Sequence, residues 1–467
     1  MRILHYSLGF PPFRTGGMTK YCLDLMEEQA KTGHTVGMLW PGKIEKYDSR
    51  CEIKKRRRYS LSSIVACDNY ELVNPLPISL LNGITDVDAY TASKAQKAFD
   101  LFFKMHNPDI FHIHTLMGLP KELLIAAKNN GVRIVFTTHD YFGICPRASL
   151  VFGNHICEHS SDCRNCAYCN KGALSLKKIR MIQSPLYRAI KYNGAVKKLR
   201  KNAIAQQRER SENIDRILET ESENTYDWSR AAQYEKLREY YYSCFELCDV
   251  VHFNSSVTEA VYRKHNVPIN KGNTISITHA GLKNHRIKKE FSDTIRFSYL
   301  GAFDTRKGCE ILIQAMDEVY KHGYRNFKLN VYAPSPYQRD YIVQREPYRY
   351  DQIKSVFEET DVLILPSIWY ETFGFTVLEA LSYDVPVVVS NHAGAKDLVI
   401  ESKNGWLTDP SKEQLAKTIQ NILSDGEKIL NDMNSYMCDF GVVKTMNEHT
   451  KEIMDKCYHQ ESIKKTE

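Results

Sequence analysis

The sequence lacks an apolar run of the roughly 18 residues that a membrane-spanning helix needs. It also lacks a charged leader with an apolar core, because Met1 runs directly into the strand-like segment RILHYSL, so we expect no secretion. Thirteen cysteines in 467 residues are too sparse for a disulfide framework. Internal repeats and low-complexity tracts are missing as well. These absences predict a globular protein of the reducing cytoplasm.

The charge of the chain is unevenly distributed, although its net value of +7 is small. Residues 171–208 contain eleven Lys or Arg and no Asp or Glu, and the shorter run KKRRR occupies 54–58. Basic surface of this kind suits the phosphates of lipid headgroups, nucleic acid or a diphosphate-bearing substrate. A solvated helix face explains such a run equally well.

Short apolar runs alternate with helical patterns in two separate stretches of the chain. Buried parallel strands are predicted in the first at RILHYSL, TVGMLW, DIFHIHT, RIVFTTH and VVHFNS, and in the second at IRFSYLG, FKLNVYA, DVLILPS and VPVVVS. Helices are predicted between them, among others at 18–32, at 121–130, after Lys307 and after Phe373. This alternation predicts an α/β protein with two doubly wound, Rossmann-like domains.

The predicted N-terminal domain covers residues 1–285 and includes a cysteine cluster at 145–169 and a charged helical elaboration at 172–242. The predicted C-terminal domain covers 286–440, and the tail 441–467 is predicted to be a helix that returns to the N-terminal domain. We expect the two domains to face each other across a cleft at the carboxyl ends of their sheets, where ligands of this architecture bind. Candidate site residues should therefore follow strands.

Two segments after predicted strands have features of anion-binding sites. Gly16 and Gly17 precede a helix, and glycine lets the backbone of a helix start approach an anion closely. Neither a G-x-G-x-x-G nor a Walker loop is present, so a dinucleotide or ATPase function lacks its fingerprint. Arg306 and Lys307 also precede a helix, where a cation neutralises a leaving diphosphate. A plain turn and a solvated loop charge are the alternatives.

A third segment, ETFGFTVLE, places Glu371 and Glu379 around a helix start after the strand DVLILPS. The predicted first helical turn, with backbone N–H groups that bind an anion, consists of Phe373, Gly374, Phe375 and Thr376. A carboxylate is also a natural acceptor for a pair of sugar hydroxyls. A strand, a turn and an amphipathic helix without a ligand would have the same pattern.

These motifs and others occur in the order seen in one known family. The chain resembles the family-4 retaining glycosyltransferases of the GT-B fold in GG at 16–17, GHTV at 33–36, HIHT at 112–115, THD at 138–140, NSS at 254–256, RKG at 306–308, PSIWYETFGFTVLEAL from 366 and KNGWL at 403–407. The matches span nearly the whole chain. In this context the E-x7-E block of Glu371 and Glu379 is highly specific.

The resemblance implies a nucleotide-diphosphate sugar bound mainly to the C-terminal domain, with no cofactor required for catalysis. Glu379 would hold the ribose hydroxyls, and Glu371 with the 373–376 backbone would hold the donor sugar and diphosphate. Lys307 would pair with the diphosphate, and Gly17 would close on it from the N-terminal domain. The leaving diphosphate would then be stabilised by Lys307 and the helix dipole rather than by a divalent metal.

His139, at the end of RIVFTTH, matches the family histidine that faces the donor sugar and supports the transition state. By itself it also fits a hydrogen-bonded histidine at a strand end. The chain departs from the family at Ala302, where an Arg usually follows the glycine that ends the strand. Arg306 lies on the same loop and is a candidate replacement for the missing diphosphate cation.

The segment after His139 is rich in cysteine. Four thiolates suited to a tetrahedral structural zinc come from Cys157, Cys163, Cys166 and Cys169, with Cys145 as a substitute ligand. An iron–sulfur cluster needs the same number, but the usual C-x2-C-x2-C-x3-C-P run is absent. Free thiols, one or two of them buried, are the other alternative.

The sequence favours a retaining transferase that moves a sugar from a nucleotide-diphosphate sugar to a hydroxyl acceptor, a sugar or lipid-linked intermediate of surface polysaccharide assembly. The basic segments favour peripheral contact with an anionic membrane. The predicted location is therefore the cytoplasm, at the inner face of this membrane. A nucleotide-sugar epimerase or a phosphorylase is the first alternative, although neither has its signature here. A nucleic-acid-binding protein is the second, but the basic runs have little aromatic interleaving, so no nucleic-acid partner is predicted.

Overall fold

The computed structural model describes residues 1–45, 47–80, 83–152, 155–158, 163–194, 196–200, 202, 228–441 and 443–459. The chain divides into two compact units. Unit 1 contains Met1–Phe253, Glu259–Ile275 and Thr450–Glu467, and unit 2 contains Asn254–Thr258 and Ser276–His449. The unit boundaries therefore differ from the predicted domain boundaries at 285 and 440.

The elements of both units follow the alternation of strands and helices. The strands are β1 (Arg2–Tyr6), β2 (Thr35–Pro41), β3 (Glu52–Ser60), β4 (Ala66–Val73), β5 (Ile110–Ile113), β6 (Arg133–Thr137), β7 (Val151–Phe152), β8 (His155–Ile156), β9 (Val250–Phe253), β10 (Gly272–Thr274), β11 (Ile295–Tyr299), β12 (Phe327–Val331), β13 (Ile342–Gln344), β14 (Val362–Leu365), β15 (Val387–Ser390) and β16 (Gly405–Thr408). The helices are α1 (Gly17–Lys31), α2 (Val87–Tyr90), α3 (Gln96–His106), α4 (Lys121–Asn129), α5 (Cys163–Cys169), α6 (Leu176–Ile182), α7 (Pro185–Ile190), α8 (Trp228–Phe245), α9 (Ser256–Lys264), α10 (Cys309–Lys321), α11 (Ile353–Glu358), α12 (Phe375–Ser382), α13 (Lys412–Phe440) and α14 (Met446–Ile453).

The sheet of unit 1 has the strand order β10-β9-β6-β5-β1-β2-β4-β3. All neighbours pair in parallel except β3 and β4, which are antiparallel. The five strands predicted from apolar runs are confirmed, whereas β3, β4 and β10 were not predicted. The basic run 54–58 lies in β3, at the edge of the sheet, where charged side chains discourage pairing with another chain.

The sheet of unit 2 is parallel throughout, in the order β13-β12-β11-β14-β15-β16. The four predicted strands are confirmed, and the short strands β13 and β16 extend the sheet at its two ends. Strands β11 and β14 are neighbours, so the loops that follow them leave the same edge of the sheet. This adjacency places RKG and PSIWYE side by side.

The last described residues of the chain pack against the sheet of unit 1. Ile453, Cys457 and Tyr458 join a buried cluster with apolar residues of strands β1, β5, β6 and β9. Residues 454–458 form a short π-helical turn after α14. The tail 441–467 is thus described up to residue 459, and its described part from Thr450 onward belongs to unit 1.

The charged elaboration at 172–242 contains α6, α7 and most of α8, while residues 203–227 lie outside the described part of the chain. Among the helices that the structure describes, none combines the length and the apolar character that a membrane span requires.

Candidate active site

A lysine and a glutamate meet where β11 and β14 end. The Lys307 Nζ donates to Glu371 Oε1 at 2.5 Å, and the Ser367 hydroxyl donates to Glu371 Oε2 at 2.5 Å. Lys307 ends a 3₁₀ turn (Thr305–Lys307) after β11, and Glu371 lies in the loop after β14. The Lys307 side chain is 31% exposed, so its ammonium is paired yet accessible to a ligand.

These two loops interlock at Gly308. Its φ of +74° lies in the left-handed region, and a Cβ there would lie 1.9 Å from the Pro366 carbonyl oxygen. On the other side of the contact, the Ile368 N–H donates to the Arg306 carbonyl at 3.0 Å. Gly308 therefore allows the close approach that brings Lys307 to Glu371.

We expect Gly308→Ala to lower the free energy of unfolding by about 3 kcal/mol or more, because it adds a steric overlap to the cost of a left-handed alanine. Gly323→Ala is the matched control. Gly323 also has a positive φ, +95°, but a Cβ there would meet nothing within 4 Å. Chemical denaturation of both variants checks this, and equal losses of stability would contradict the steric explanation.

The neighbouring Arg306 is engaged within its own loop. Its guanidinium donates to both carboxylate oxygens of Asp304, at 3.0 and 2.8 Å, and its Cζ lies 6.0 Å from the centre of the Trp369 ring. The backbone N–H of Arg306 also donates to Asp304, at 2.9 Å. Arg306 is the candidate replacement for the arginine missing at Ala302, but it pairs with Asp304 of its own loop. Lys307 instead pairs with Glu371, in the loop after β14.

The helix that follows Glu371 begins at Phe375, two residues later than predicted. Gly374 precedes it as the N-cap, with a φ of +115° in the left-handed region. Phe373 lies before the helix with its side chain 2% exposed, and its carbonyl accepts from the Ala395 N–H at 2.7 Å. Among the described residues, no side-chain hydrogen bond caps α12. The Val377 N–H donates to the Gly374 carbonyl at 3.1 Å, so the N–H groups that α12 offers to an anion are those of Phe375 and Thr376.

Glu379 lies one turn into this helix, beside a histidine that the sequence analysis did not single out. The His279 Nε2 is 3.5 Å from Glu379 Oε1, and the two side chains are 1% and 12% exposed. The His279 ring lies 5.5 Å from that of Phe375 and 5.9 Å from that of Tyr350. Burial and then the charge of Glu379 raise the pKa of Tyr348 to about 12. Glu379 thus lies beside His279, whose ring has two aromatic neighbours.

In unit 1, the glycine pair forms the start of α1. Gly16 is the N-cap with a φ of +116°, Gly17 is the first helical residue, and no described side chain caps the helix. A Cβ on Gly16 would meet nothing within 4 Å. The glycine is therefore required by the backbone conformation and not by crowding, and the space beside it is open.

His139 belongs to a chain of hydrogen-bonded side chains at the carboxyl edge of this sheet. Its Nε2 lies 3.2 Å from His114 Nδ1, and His114 Nε2 lies 3.1 Å from His5 Nδ1. The other nitrogen of His5 is 2.8 Å from the Gln29 side-chain oxygen. Gln29 in turn donates to the hydroxyl of Tyr458, at 2.9 Å, so the C-terminal segment closes the network.

Burial keeps these imidazoles neutral. Loss of hydration lowers the pKa of His139 to about 3, with a further contribution from His252, and lowers the pKa of His5 to about 4. The pKa of His114 is lowered well below its usual value, by burial and by the neighbouring imidazoles. A neutral imidazole donates from one nitrogen and accepts at the other, so each ring fixes the tautomer of the next.

The predicted residues thus fall into two sets. One lies in unit 2 and contains Arg306, Lys307, Glu371, 373–376 and Glu379; the other lies in unit 1 and contains Gly16, Gly17 and His139. The partners Ser367, His279, Gln29 and Tyr458 were not predicted. Ser367 lies within a quoted motif, but nothing in the sequence links Tyr458 to a strand hundreds of residues away.

The cysteine segment places several thiols beside arginines. Arg238 donates to Cys163 Sγ at 2.9 Å and approaches Cys166 Sγ at 3.6 Å, while Arg147 approaches Cys169 Sγ at 3.1 Å. Cys145 and Cys157, both half-buried, are the other two thiols of this segment. Within the described ranges, the one group of three potential metal ligands whose atoms lie within 4.8 Å is His5, Cys22 and His114. The zinc prediction for the cysteines therefore stays a prediction.

Two family models match the chain, one in each unit. Residues 15–157 match Glycosyltransferase Family 4, and residues 282–437 match Glycosyl transferases group 1. Together the matches cover more than half of the chain and include both sets of candidate residues. The chain belongs to the family-4 glycosyltransferases. This membership confirms the resemblance read from the sequence motifs.

Relatives and a solved structure agree with this assignment. An uncharacterized glycosyltransferase of Methanocaldococcus jannaschii is 28% identical over 214 residues, which cover 40% of this chain and 53% of the relative. The capsular polysaccharide biosynthesis glycosyltransferase CapM of Staphylococcus aureus is 26% identical over 160 residues, 31% of this chain and 42% of the relative. The chain thus spans about half the length of the curated relatives it matches.

The fold is that of a solved glycosyltransferase. The apo form of the lipopolysaccharide outer core galactosyltransferase WaaB superposes with a TM-score of 0.56 at 12% sequence identity, over 97% of this chain and 98% of that one. At this level of identity the likeness shows the fold alone, and it confirms the predicted GT-B class with two parallel-sheet domains.

Proposed function

We propose that this glycosyltransferase moves a sugar from a nucleotide-diphosphate sugar to a hydroxyl acceptor, with retention at the anomeric carbon. The observation that carries the proposal is the Lys307–Glu371 pair beside the uncapped start of α12. An ammonium and a set of free N–H groups at one edge of a sheet suit a diphosphate, and a fixed carboxylate suits sugar hydroxyls. Family membership favours this function over an epimerase, a phosphorylase or a nucleic-acid-binding protein.

Each residue of the unit 2 set has a proposed role in donor binding. Lys307 pairs with the diphosphate, the N–H groups of Phe375 and Thr376 hold its oxygens, and Glu371 holds the donor sugar. Glu379 accepts from the ribose hydroxyls, beside His279, whose Nε2 lies 3.5 Å from its carboxylate. In unit 1, the proposed roles are anion binding by the start of α1 at Gly16 and Gly17, and support of the transition state by His139.

The proposed reaction exchanges one bond at the anomeric carbon. The bond from this carbon to the diphosphate oxygen breaks, and its electron pair leaves with the nucleotide diphosphate. The acceptor hydroxyl attacks from the side that the leaving group vacates, and its proton passes to a diphosphate oxygen. Lys307 and the N–H groups of α12 stabilise the negative charge that develops on the leaving group.

The acceptor is proposed to be a sugar or lipid-linked intermediate of polysaccharide assembly. CapM, a relative at 26% identity, acts in capsular polysaccharide biosynthesis, and WaaB acts on the lipopolysaccharide outer core. The basic segments of this chain support peripheral contact with an anionic membrane at the inner face of the cell. No nucleic-acid partner is proposed.

A thermal-shift screen across UDP-, GDP-, ADP- and TDP-sugars tests donor binding. A donor at 100 times its Kd should stabilise the folded protein by about 2.7 kcal/mol. Hydrolysis of the stabilising donor by the purified protein is then measured as the release of the nucleotide diphosphate. If no nucleotide sugar is bound or hydrolysed, the proposal is wrong.

The zinc prediction is tested separately from the reaction, because a zinc held by four protein ligands would be structural. We expect one zinc per chain by elemental analysis of gently purified protein, and its loss in Cys166→Ser. Since Arg238 lies within hydrogen-bond distance of Cys163, the ion would have to displace this guanidinium. A protein without zinc would favour free thiols beside arginines.

A further inference from the structure

Three cations lie together near the first glycine loop of unit 1. Arg14 lies just before Gly16, Arg188 lies in α7, and Lys191 directly follows α7. Their charges act on one another: burial and then the charge of Arg188 lower the pKa of Arg14. The pKa of Lys191 is lowered by burial and then by Arg14, Arg188 and Arg200. We call Arg14, Arg188 and Lys191 the basic cluster.

The basic cluster has more positive charge than its neighbours balance. Arg188 Nη1 donates to Glu71 Oε1 at 2.9 Å, but the other oxygen of Glu71 accepts from Arg56 at 2.8 Å. The buried Glu71, only 4% exposed, therefore divides its single negative charge between two guanidiniums. Among the residues that the structure describes, no carboxylate lies within ion-pair distance of Arg14 or Lys191. Like charges held this close favour the binding of an anion between them.

Aromatic rings hold the cationic groups in place at the surface. The Lys191 Nζ lies 4.6 Å from the centre of the Phe13 ring and 5.0 Å from that of Tyr192. The Arg188 guanidinium lies 4.8 Å from the Trp40 ring. Phe13 and Tyr192 are 54% and 49% exposed, so a ligand reaches the ammonium from solvent. Ring faces orient a cation without neutralising its charge.

We infer that the basic cluster is a binding site for the phosphate group of the acceptor. A planar guanidinium binds two phosphate oxygens at once, and an ammonium adds a compact charge beside them. The cluster lies in unit 1, where Arg14 follows strand β1 and Arg188 packs against Trp40 of strand β2. The carboxyl ends of such strands are ligand sites in this architecture. The assignment of this phosphate to the acceptor rests on the proposed function. Phosphate binding itself is inferred from the basic cluster alone.

Exposed apolar side chains continue from the cluster along α7. Leu186 is 71% exposed and Ile190 is 41% exposed, next to the ring of Tyr192. Apolar and basic side chains on one surface are typical of segments that bind the boundary of an anionic bilayer. A lipid-linked phosphate therefore fits this surface, and a soluble sugar phosphate would use the cluster without the apolar residues.

Calorimetry with inorganic pyrophosphate tests the site in the full-length Lys307→Ala protein, which lacks the donor cation. Adding Arg14→Gln or Lys191→Gln should weaken pyrophosphate binding about tenfold or more, the usual value of a charged hydrogen bond. Lys177→Gln, which removes the same charge from an exposed position on α6, is the matched control and should leave the affinity unchanged. Arg14→Lys, which keeps the charge but loses the planar guanidinium, should bind pyrophosphate more tightly than Arg14→Gln and less tightly than the parent.

The inference is overturned if Arg14→Gln and Lys191→Gln leave pyrophosphate binding unchanged, or if Lys177→Gln weakens it equally, since attraction would then be diffuse. Thermal unfolding of each variant shows that it is folded. Donor hydrolysis by the wild-type protein is measured in parallel: its absence would overturn the proposed function, while pyrophosphate binding still decides the site.

Vesicle flotation distinguishes the source of the phosphate. Phosphatidylcholine vesicles with and without phosphatidylglycerol are mixed with the wild-type, Leu186→Ser and Arg14→Gln proteins. If binding needs phosphatidylglycerol and falls in both variants, the cluster takes a lipid phosphate. If pyrophosphate binds as expected but no vesicle does, the site takes a soluble phosphate, which also supports the inference.

Discussion

Lys307→Ala is expected to lower the rate of sugar transfer, measured as kcat, by about 100-fold to 1,000-fold, the usual loss when one charge-stabilising group is removed from an active site. Its ammonium is the cation that reaches Glu371, at 2.5 Å, while the neighbouring Arg306 is paired with Asp304. Within the described residues, Arg306 is thus the one other cation on this loop, and its pairing with Asp304 keeps it from replacing Lys307. Donor hydrolysis without an acceptor should fall by a similar factor.

The matched control for this variant is Lys321→Ala, which removes an exposed lysine at the end of α10. It should leave kcat within about twofold, as surface substitutions usually do. Glu371→Gln, which keeps the shape and removes the charge, tests the partner of Lys307. If Lys307→Ala raised only KM and left kcat unchanged, Lys307 would contribute equally to the ground state and the transition state, and its role with the leaving group would be wrong.

His139→Ala is expected to lower kcat by about 100-fold or more, because the proposed role of this side chain is that of a preorganised polar group in the transition state. The side chain is held by His114, whose Nδ1 lies 3.2 Å from its Nε2. His114→Phe, which leaves His139 in place but removes this hydrogen bond, should lose less activity. The difference in kcat between His139→Ala and His114→Phe separates the proposed contact of His139 with the sugar from the positioning of its ring by His114.

The pH dependence gives a second readout for His139. Because burial lowers its pKa to about 3, the ring is neutral throughout the working range, and transfer should show no inflection from this residue between about pH 5 and 8. An inflection near 6.5 that vanished in His139→Asn would show instead that the ring is charged during turnover. His322→Ala, which removes an exposed histidine at the end of α10, is the matched control for the loss of an imidazole.

The strands and the motifs could be predicted from the sequence because both are local. Continuous apolar runs identified nine strands of the two main sheets, and Lys307 and Glu371 were located because each follows one of them. The edge strands β3, β10, β13 and β16 were missed, since their residues are charged, few or half-buried. Edge strands are defined by their neighbour more than by their own composition.

The start of α12 shows where local rules were insufficient. The sequence placed 373–376 in the first turn, but the helix begins at Phe375 because Gly374 takes a left-handed conformation. The packing of Phe373, and the bond from Ala395 to its carbonyl, hold the chain in that path. Glycine permits several conformations, so the choice between them depended on contacts with a later loop.

By itself, the sequence determined the alternating α/β architecture, the order of the motifs and the family to which the chain belongs. Only the tertiary structure decided that Arg306 pairs with Asp304, that Tyr458 closes the histidine network and that Arg14, Arg188 and Lys191 form one cluster. The physical reason is that periodicity and turn chemistry act over a few residues and describe the backbone, whereas the partner of a side chain depends on the folded path. Tyr458 and the basic cluster join segments that are far apart in the chain and meet only after the sheet of unit 1 has formed. Arg306 and Asp304 are only two residues apart, but the conformation of their loop decides that they pair.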